Sequence, residues 1–405
     1  MLKGFGNFIK VFMGMNQETK SNILFYCLGI GTNNISVSEL EELSVLDWDE
    51  VFKESLKHRV TPLLYQRLNT NKTDLKIPNE IMKELHRIYF SIVRENIKIY
   101  NELSKALNAA KDANIPVIVL KGAALAELIY QNIALRPMND VDILVKSHDA
   151  WRIDEILAPL GYESDALSEH QAQRLPHINK SNFMEIDINP KLYELPELDP
   201  WINAKPVKLG SADAFVLGSE NFLVHICLHL DRHFFEDGFT RLIWWYDVAE
   251  LLRHYREGIN WDYIINLSKE YNFEGSIKRV LTATNEWFNQ HTPDYVLSQL
   301  KDDNTRIFTG NLLHVPDKTR YNNELGSVIS SLSDMPKFPS FKDKIYYLFR
   351  RMFPVKEQMI RHYSLKRPSL VYLFYFVRFF EIVFKGMKVL IKLPGYFKKK
   401  SSPNI

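Results

Sequence analysis

The sequence predicts an α+β fold, in which a small mixed sheet lies between helical regions at both ends of the chain. Apolar residues recur at three- and four-residue spacing over 36–70 and 79–113, and again from Ser219 onward, which is the periodicity of helices with one buried face. Between 114 and 215 the pattern changes to short apolar or alternating segments, which is typical of strands.

The predicted sheet is made of short strands separated by turns and short helices. Strands are indicated where apolar residues run together or alternate with polar ones, at 117–120, 140–145, 183–188 and 205–209. Helices are expected at 123–130 and 150–160, the second closed by Gly161. Pro137 makes 136–139 a turn, because proline disfavours helix at the residue before it.

Changes of pattern along the chain predict how it is divided. Helical periodicity returns after the strands, and the stretch SLSDMPKFPS at 331–340 has the composition of a linker. The expected regions are an N-terminal helical region at 1–113, an α/β core at 114–215, a helical domain at 216–330 and a basic, aromatic-rich helical region at 331–405.

The composition is that of an ordinary globular protein, with 405 residues, 46% of them hydrophobic and 25% charged. Its two cysteines, Cys27 and Cys227, lie far apart, which excludes a disulfide framework and indicates a reducing compartment. The N-terminal segment has no small-residue cleavage site, so we do not expect a signal peptide. These features predict a cytoplasmic protein.

Two aspartates lie one residue apart in the predicted strand 140–145. Residues i and i+2 of a strand point to the same face, so Asp140 and Asp142 are expected to aim two carboxylates at one point. Carboxylates this close repel each other unless a cation neutralises them, and a divalent cation does this well. Upstream, strand 117–120 runs into Gly122, and a tight glycine turn lets backbone amides approach phosphate groups. Together these features predict a site for a nucleoside triphosphate and a divalent cation.

A third carboxylate is expected from the strand 183–188. Asp187 is the candidate, and Glu185 lies on the same face as the alternative. Nucleotidyl transfer needs attack on the α-phosphate with departure of pyrophosphate, and two Mg²⁺ ions held by three carboxylates suit that reaction. We therefore predict that Asp140, Asp142 and Asp187 bind two Mg²⁺ ions and act in catalysis, with Asp187 helping to deprotonate the acceptor.

Four residues are predicted to contact the nucleotide, namely Lys121, Gly122, Ala123 and Arg136. The glycine turn precedes a predicted helix, whose N-terminus favours phosphate. Lys121 and Arg136 can each neutralise phosphate charge, although a structural salt bridge is the alternative for Arg136. Asp247, an acid within an apolar helical pattern, is expected either to pair with a core cation such as Arg241 or to line the substrate cleft.

These residues resemble the nucleotidyltransferase superfamily of the DNA polymerase beta type, in which a strand, a glycine turn and a helix precede Asp-x-Asp. More narrowly, the segments LKGAALAELIY and DVDILV are similar to a bacterial and archaeal group of nucleotidyltransferase family proteins of unassigned substrate. HRVTPLL, EIDIN and HICLHL…RLIWWYDVAELL extend this resemblance over roughly 50–290. The superfamily implies Mg²⁺, a nucleoside triphosphate donor and a metal-bound Asp-x-Asp, with these roles falling on Gly122, Asp140, Asp142 and Asp187.

The expected reaction moves a nucleoside monophosphate from a nucleoside triphosphate to an acceptor hydroxyl, on a small molecule, a sugar or a protein, and releases pyrophosphate. The chain departs from the superfamily at its turn, which is Gly122-Ala123 without the usual Ser or second Gly, and from the narrower group at Asn189, where His is common. The missing hydroxyl motivates an alternative: a catalytically degenerate nucleotide-binding or scaffold protein, docked at a membrane surface in a polysaccharide or peptide-modifying assembly.

Three histidines share one helix face at spacing i, i+4 and i+8, namely His225, His229 and His233. His-x-x-x-His can bind zinc. The metalloprotease motif requires Glu after the first His, where this chain has Ile226, and the sequence shows no Cys or Glu placed to complete a site. Helix packing and polar contacts are therefore the favoured interpretation.

Positive charge is concentrated at the C-terminal end of the chain. Residues 337–405 hold sixteen Lys and Arg against three acids, a net +13, which leaves −11 for residues 1–336 of a chain whose total is +2. Charged residues interrupt the apolar stretch, so no transmembrane helix is expected. Three interpretations remain: a packed helical subdomain, an amphipathic region docked on an anionic membrane, which would place the protein at the inner membrane surface, or a nucleic-acid-binding region.

Overall fold

The computed structural model describes residues 17–30, 43–70, 77–163, 177–179, 181–182, 184–234, 240–302, 349, 353, 356, 359, 363 and 368–380. Helices precede and follow a mixed sheet in this part of the chain. The predicted α+β class is therefore confirmed.

Helices precede the sheet in the described residues, and the last of them packs against its strand Ala212–Val216. They are α1 (Gln17–Leu28), α2 (Val45–Lys57), α3 (Thr61–Thr70) and α4 (Asn79–Asp112). Helix α2 starts at a capping box, in which the Ser44 hydroxyl accepts from the Asp47 N–H and the Asp47 carboxylate accepts from the Ser44 N–H. Helix α4 matches the predicted helix at 79–113, and Asn114 turns the chain toward the sheet with a φ of +57°.

The sheet has seven strands in the described part of the chain. They are β1 (Ile118–Val119), β2 (Asp140–Leu144), β3 (Tyr162–Glu163), β4 (His177–Asn179), β5 (Glu185–Asn189), β6 (Lys205–Leu209) and β7 (Ala212–Val216). Their order across the sheet is β3-β4-β5-β2-β1-β7-β6. Strand β2 runs parallel to β5 and antiparallel to β1, so the second and fifth strands along the chain lie side by side at the centre.

The predicted strands are confirmed, most with slightly shorter bounds, whereas β3, β4 and β7 were not predicted. Strands β3 and β4 have two and three residues, too few for a period to be read. Strand β7 alternates buried and less buried positions, but two of its buried residues are alanines, which give a weak apolar signal. The turn before β7 requires Gly210, whose φ is +56°.

The two helices predicted within the core are also present, in modified form. The first is α5 (Lys121–Ala124), which continues as a π-helical turn, Leu125–Ile129. The second is α6 (Arg152–Leu157), followed by a 3₁₀ turn at Ala158–Leu160. As predicted, Gly161 closes this segment, with a left-handed φ of +88°.

Helices after the sheet complete the core. They are α7 (Ser219–Arg232), α8 (Leu242–Tyr255), α9 (Trp261–Glu270), α10 (Glu274–Phe288) and α11 (Asp294–Gln299). Helix α7 packs against α8, α9 and α10, while α8 contacts the π-helical turn after α5. One continuous apolar core joins these helices to the sheet and to α4. Helix α8 therefore lies against the π-helical turn Leu125–Ile129, which separates α5 from the turn before β2.

The predicted linker at 331–340 and most of the basic region lie outside the described residues, apart from isolated positions and a helical segment at 371–380. None of the helices in the described ranges combines the length and the apolar character needed to cross a membrane. The predicted division into four regions stays a prediction.

We predict that Ile186→Ala lowers the free energy of unfolding by about 2–5 kcal/mol, because deleting a buried side chain removes its transfer free energy and leaves a cavity. Ile186 lies in central strand β5 and is 0% exposed. The matched control is Ile202→Ala, the same deletion at a position 57% exposed, for which under about 1 kcal/mol is expected. Denaturant unfolding measures both, and equal losses would contradict the central position of β5.

Candidate active site

The predicted carboxylates meet on one face of the sheet, where β2 and β5 run side by side. The parallel register pairs Asp140 with Glu185 and Asp142 with Asp187. Neighbouring strands lie about 4.8 Å apart, so paired side chains on the same face are adjacent. The alternate residues, among them Val141 and Ile186, are buried on the opposite face. Asp140, Asp142 and Asp187 are therefore brought together at an accessible surface of the core, as the spacing predicts.

The crowding of these acids changes their protonation. Burial, followed by the charges of Asp142 and Glu185, raises the pKa of Asp187 well above its usual range. Desolvation and the charge of Asp142 raise the pKa of Asp140 in the same direction. In both cases burial is the largest cause of the shift, and repulsion between neighbouring carboxylates adds to it.

Lys121 supplies one positive charge to this cluster. Its ammonium Nζ lies 2.9 Å from Asp142 Oδ1 and donates a hydrogen bond to it. The backbone of Lys121 has a φ of +45°, an unfavourable conformation for a residue with a Cβ, and so the chain accepts local strain where it enters α5. Burial acts to lower the pKa of Lys121, but attraction by Asp142, Glu194 and Asp187 outweighs it and raises that pKa.

The donor set fits Mg²⁺ in chemistry and charge. Carboxylate oxygens are the ligands that Mg²⁺ takes from proteins, and β2 and β5 present such carboxylates side by side. Among the described residues, however, no three or more His, Cys, Asp or Glu side chains are grouped so that they could hold a metal ion. Binding of two ions by Asp140, Asp142 and Asp187 stays a prediction.

Gly122 lies at the start of α5, directly against the turn that precedes β2. A Cβ at this position would lie 3.2 Å from Met138 Cγ and 3.4 Å from an Arg136 guanidinium nitrogen. The glycine therefore allows the 136–139 turn to pack closely on α5. The Ala123 side chain is buried, and its carbonyl oxygen accepts a hydrogen bond of 2.6 Å from the Tyr100 hydroxyl. A nucleotide contact at 122–123 would therefore use backbone N–H groups.

Arg136 forms a buried ion pair with Asp247. Two guanidinium nitrogens, Nε and Nη2, donate to the carboxylate at 2.8–3.1 Å, and the Tyr130 hydroxyl donates to Asp247 Oδ1 at 2.9 Å. The expectation that Asp247 pairs with a core cation is confirmed, but the partner is Arg136 and not Arg241, whose guanidinium lies over the Trp244 ring. This pair ties the 136–139 turn to α8. A phosphate contact by Arg136 stays a prediction.

The histidines of α7 face an acid that the sequence did not reveal. Glu194 places its carboxylate oxygens 3.3 Å from His225 Nδ1 and 3.2 Å from His229 Nδ1. The two imidazoles hold the pKa of Glu194 well below its usual range, although burial acts in the opposite direction. Burial and the charge of Lys121 depress the pKa of His229. The sequence indicated no Cys or Glu placed to complete a metal site here, and the contacts of Glu194 with these histidines agree with the favoured role in packing and polar contacts.

Two further cations near Asp140 were missed as site residues. Arg59, at the end of α2, and Arg241, before α8, both interact electrostatically with Asp140. Both lie in segments that carry the family resemblance, HRVTPLL and RLIWWYDVAELL. That resemblance was the one feature of the sequence that could have indicated a role for them in the site. Nothing in the local pattern of either segment indicates a position beside the acids, because the tertiary fold brings them there.

Paired acids on adjacent strands of a mixed sheet, beside a Lys-Gly turn that begins a helix, define a nucleotidyltransferase type of protein. Comparison with protein families agrees with this geometry. The chain belongs to the family described as uncharacterised nucleotidyltransferase, whose model matches residues 44–289. The family supports nucleotidyl transfer as the general activity.

Two solved structures resemble part of the chain. The antibiotic-resistance factor ANT(2'')-Ia is 12% identical with a TM-score of 0.35, over 44% of this chain and 95% of that chain. An antigenic nucleotidyltransferase-like protein from Paracoccidioides brasiliensis is 12% identical with a TM-score of 0.28, over 47% of this chain and 92% of that chain. No curated protein sequence matches the chain. At this level of similarity neither structure indicates a substrate.

We predict that Asp247→Ala lowers the free energy of unfolding by about 3–5 kcal/mol, because it leaves the buried Arg136 guanidinium without its partner. The combined change Arg136→Met, Asp247→Leu and Tyr130→Phe removes every polar side chain of the cluster and is expected to restore most of that loss. Denaturant unfolding measures the three proteins. Asp213→Ala, at an exposed pair with Lys111, is the control and should leave stability nearly unchanged.

The same variants separate the two roles of Arg136. If the combined variant is as stable as the parent and also retains nucleotide binding, Arg136 is structural. If stability returns while nucleotide affinity does not, Arg136 contacts the phosphates. A stable Asp247→Ala variant would contradict the importance of the ion pair.

Proposed function

We propose that the protein is a Mg²⁺-dependent nucleotidyltransferase that moves a nucleoside monophosphate from a nucleoside triphosphate to an acceptor hydroxyl. The observation that carries the proposal is the register of β2 and β5, which pairs Asp142 with Asp187 and places Asp140 on the same face. Adjacent carboxylates with raised pKa values are costly in a purely structural role, because their repulsion opposes folding.

Each group has a role that follows from its position. Asp140, Asp142 and Asp187 would hold the metal, which when bound neutralises charge on the reacting phosphates and on the departing pyrophosphate. Asp187, paired with Asp142 in the register of the two strands, would accept the proton of the acceptor hydroxyl. The acceptor oxygen forms a bond to the α-phosphorus, the bond from that phosphorus to the bridging oxygen breaks, and pyrophosphate leaves with the electron pair.

The phosphates would be held next to α5. Lys121, now bonded to Asp142, is within reach of a phosphate placed against that acid. Gly122 and Ala123 lie in the first turn of α5, whose N-cap Leu120 makes no side-chain capping hydrogen bond, and their backbone N–H groups would donate to a phosphate. This arrangement supports a donor bound between α5 and the acids of β2.

We predict that Asp142→Asn and Asp187→Asn each lower the rate of pyrophosphate release by about 10²–10⁴-fold, the range for loss of a general base or of a comparable catalytic contact. The assay supplies Mg²⁺, a panel of nucleoside triphosphates and cell extract as the source of acceptors. Asp213→Asn, an exposed carboxylate on β7, is the control and should retain the parent rate.

The outcomes separate catalysis from binding alone. An unchanged rate in Asp142→Asn would refute its catalytic assignment. If calorimetry detects binding of ATP with Mg²⁺ while no nucleotide supports pyrophosphate release, the protein binds nucleotide without catalysis. The absence of a hydroxyl at Ala123 is the reason to consider that alternative.

A second proposal concerns the basic region, most of which lies outside the described residues. We propose that 337–405 docks on an anionic membrane surface, which would make the protein cytoplasmic and peripheral to the inner membrane. The helical segment at 371–380 supports this, because Tyr372 and Phe376 are each 67% exposed beside further exposed aromatics. The net charge of +13 over 337–405 complements anionic headgroups.

We predict that the full chain floats with vesicles containing phosphatidylglycerol and does not float with phosphatidylcholine alone, because the attraction is electrostatic. The double change Tyr372→Ser with Phe376→Ser should reduce flotation severalfold by removing apolar side chains that would enter the interface. Tyr295→Ser, at an exposed aromatic on α11, is the control. Failure of the parent protein to float would refute the proposal and favour a packed subdomain, and binding of RNA instead would favour the nucleic-acid alternative.

A further inference from the structure

Two arginines approach the acidic site from helical segments outside the sheet. Arg59 directly follows the C-cap His58 of α2, and Arg241 is the N-cap residue of α8. The two backbones are joined, since the Ile243 N–H donates to the His58 carbonyl at 3.3 Å. Arg59 adopts a left-handed φ of +58°, a conformation that commonly ends a helix.

Both guanidiniums are anchored beside the Asp-x-Asp strand. The Asn139 amide, with its orientation assigned from its hydrogen bonds, accepts from Arg59 Nη2 and donates to the Met138 carbonyl. Asn139 directly precedes Asp140. The guanidinium carbon of Arg241 lies 5.3 Å from the centre of the Trp244 ring. This cation–π contact holds the guanidinium against the first turn of α8.

Neither arginine has an acidic partner within ion-pair distance in the described part of the chain. Other arginines in the described part of the chain do: Arg136 pairs with Asp247, Arg232 with Glu194 and Arg279 with Asp231. Burial, followed by the positive charges of Arg241 and Arg136, lowers the pKa of Arg59 to about 10. Burial and the charge of Arg136 lower the pKa of Arg241 as well. Two poorly compensated cations are thus held near each other, at a cost that a bound anion would offset.

The position of these cations indicates which anion they suit. A donor bound with its α-phosphate at the acids of β2 and β5 carries further negative charge on its remaining phosphates, which cations beside the acids would offset. Arginine presents a planar set of donors that matches phosphate oxygens, often through two hydrogen bonds. The arginines lie at the Asp140 side of the acids, next to the turn that packs on Gly122.

We propose that Arg59 and Arg241 form the subsite for the β- and γ-phosphates of the donor nucleotide and for the pyrophosphate that leaves. This inference rests on the proposed nucleotidyl transfer and adds residues from both helical regions to the site. A phosphate group carried by the acceptor is the other source of the same chemistry, and the length of the polyphosphate distinguishes the two.

Calorimetry of the full-length protein with inorganic tripolyphosphate, in EDTA, tests the subsite without any reaction. The parent protein is expected to bind, and Arg59→Gln and Arg241→Gln are each expected to weaken binding roughly tenfold or more, the effect of losing a charge-assisted contact. Arg59→Lys should retain part of the affinity, because it keeps the charge. Arg87→Gln, at an exposed arginine of α4 paired with Glu84, is the control. Thermal unfolding checks that each variant is folded.

The result can overturn the inference independently of the proposed function. Failure of the parent to bind tripolyphosphate, or equal affinity in folded Arg59→Gln and Arg241→Gln, refutes the subsite even if pyrophosphate release continues. Orthophosphate bound as tightly as tripolyphosphate refutes the donor assignment, because it indicates a single-phosphate site. Arginine-dependent tripolyphosphate binding without pyrophosphate release from any nucleotide supports the subsite while the proposed transfer fails.

Discussion

The register in which β2 and β5 pair fixes the geometry of the whole site. Because successive strand residues face opposite sides, a shift of one residue would send the acids of one strand into the core. Val141, Ile143, Ile186 and Ile188 prevent this shift, since all four are buried on the other face. Apolar packing on one face of the sheet therefore holds carboxylates together on the opposite face, against their mutual repulsion.

The charges around those carboxylates fall into two groups. Some are neutralised within the fold: Arg136 by Asp247, and Glu194 by Arg232. Others lack a full counter-charge, namely the acids of β2 and β5 on one side and Arg59 with Arg241 on the other. The neutralised pairs position secondary structure, whereas the uncompensated groups are the ones that a cation and a polyphosphate would complete.

The parts of this arrangement that the sequence predicts are those with a local period. The long helix α4 and the placement of the acids on β2 and β5 follow from spacing alone, as does the Gly161 stop. Strand β7 was not predicted, because its alanines weaken the alternation of apolar and polar residues. The position of Glu194 was not predicted either, because it lies in an irregular segment without a periodic pattern. All strands of the described sheet lie between Arg59 and Arg241 in the sequence. Only the tertiary contact between the end of α2 and the start of α8 brings the two arginines together.

That packing also bears on the unusual turn. A hydroxyl at position 123, as in the superfamily's Gly-Ser turn, would start from a Cβ that here is buried, next to a carbonyl already bonded to Tyr100. The side chain at position 123 is therefore committed to the core, and the contact that a hydroxyl there would make to phosphate has to come from elsewhere. Arginines anchored on α2 and α8 are placed to supply it with more charge than a hydroxyl would. On this view the departure at Ala123 transfers the phosphate contact from the turn to the flanking helices, and the acids of β2 and β5 keep their catalytic use.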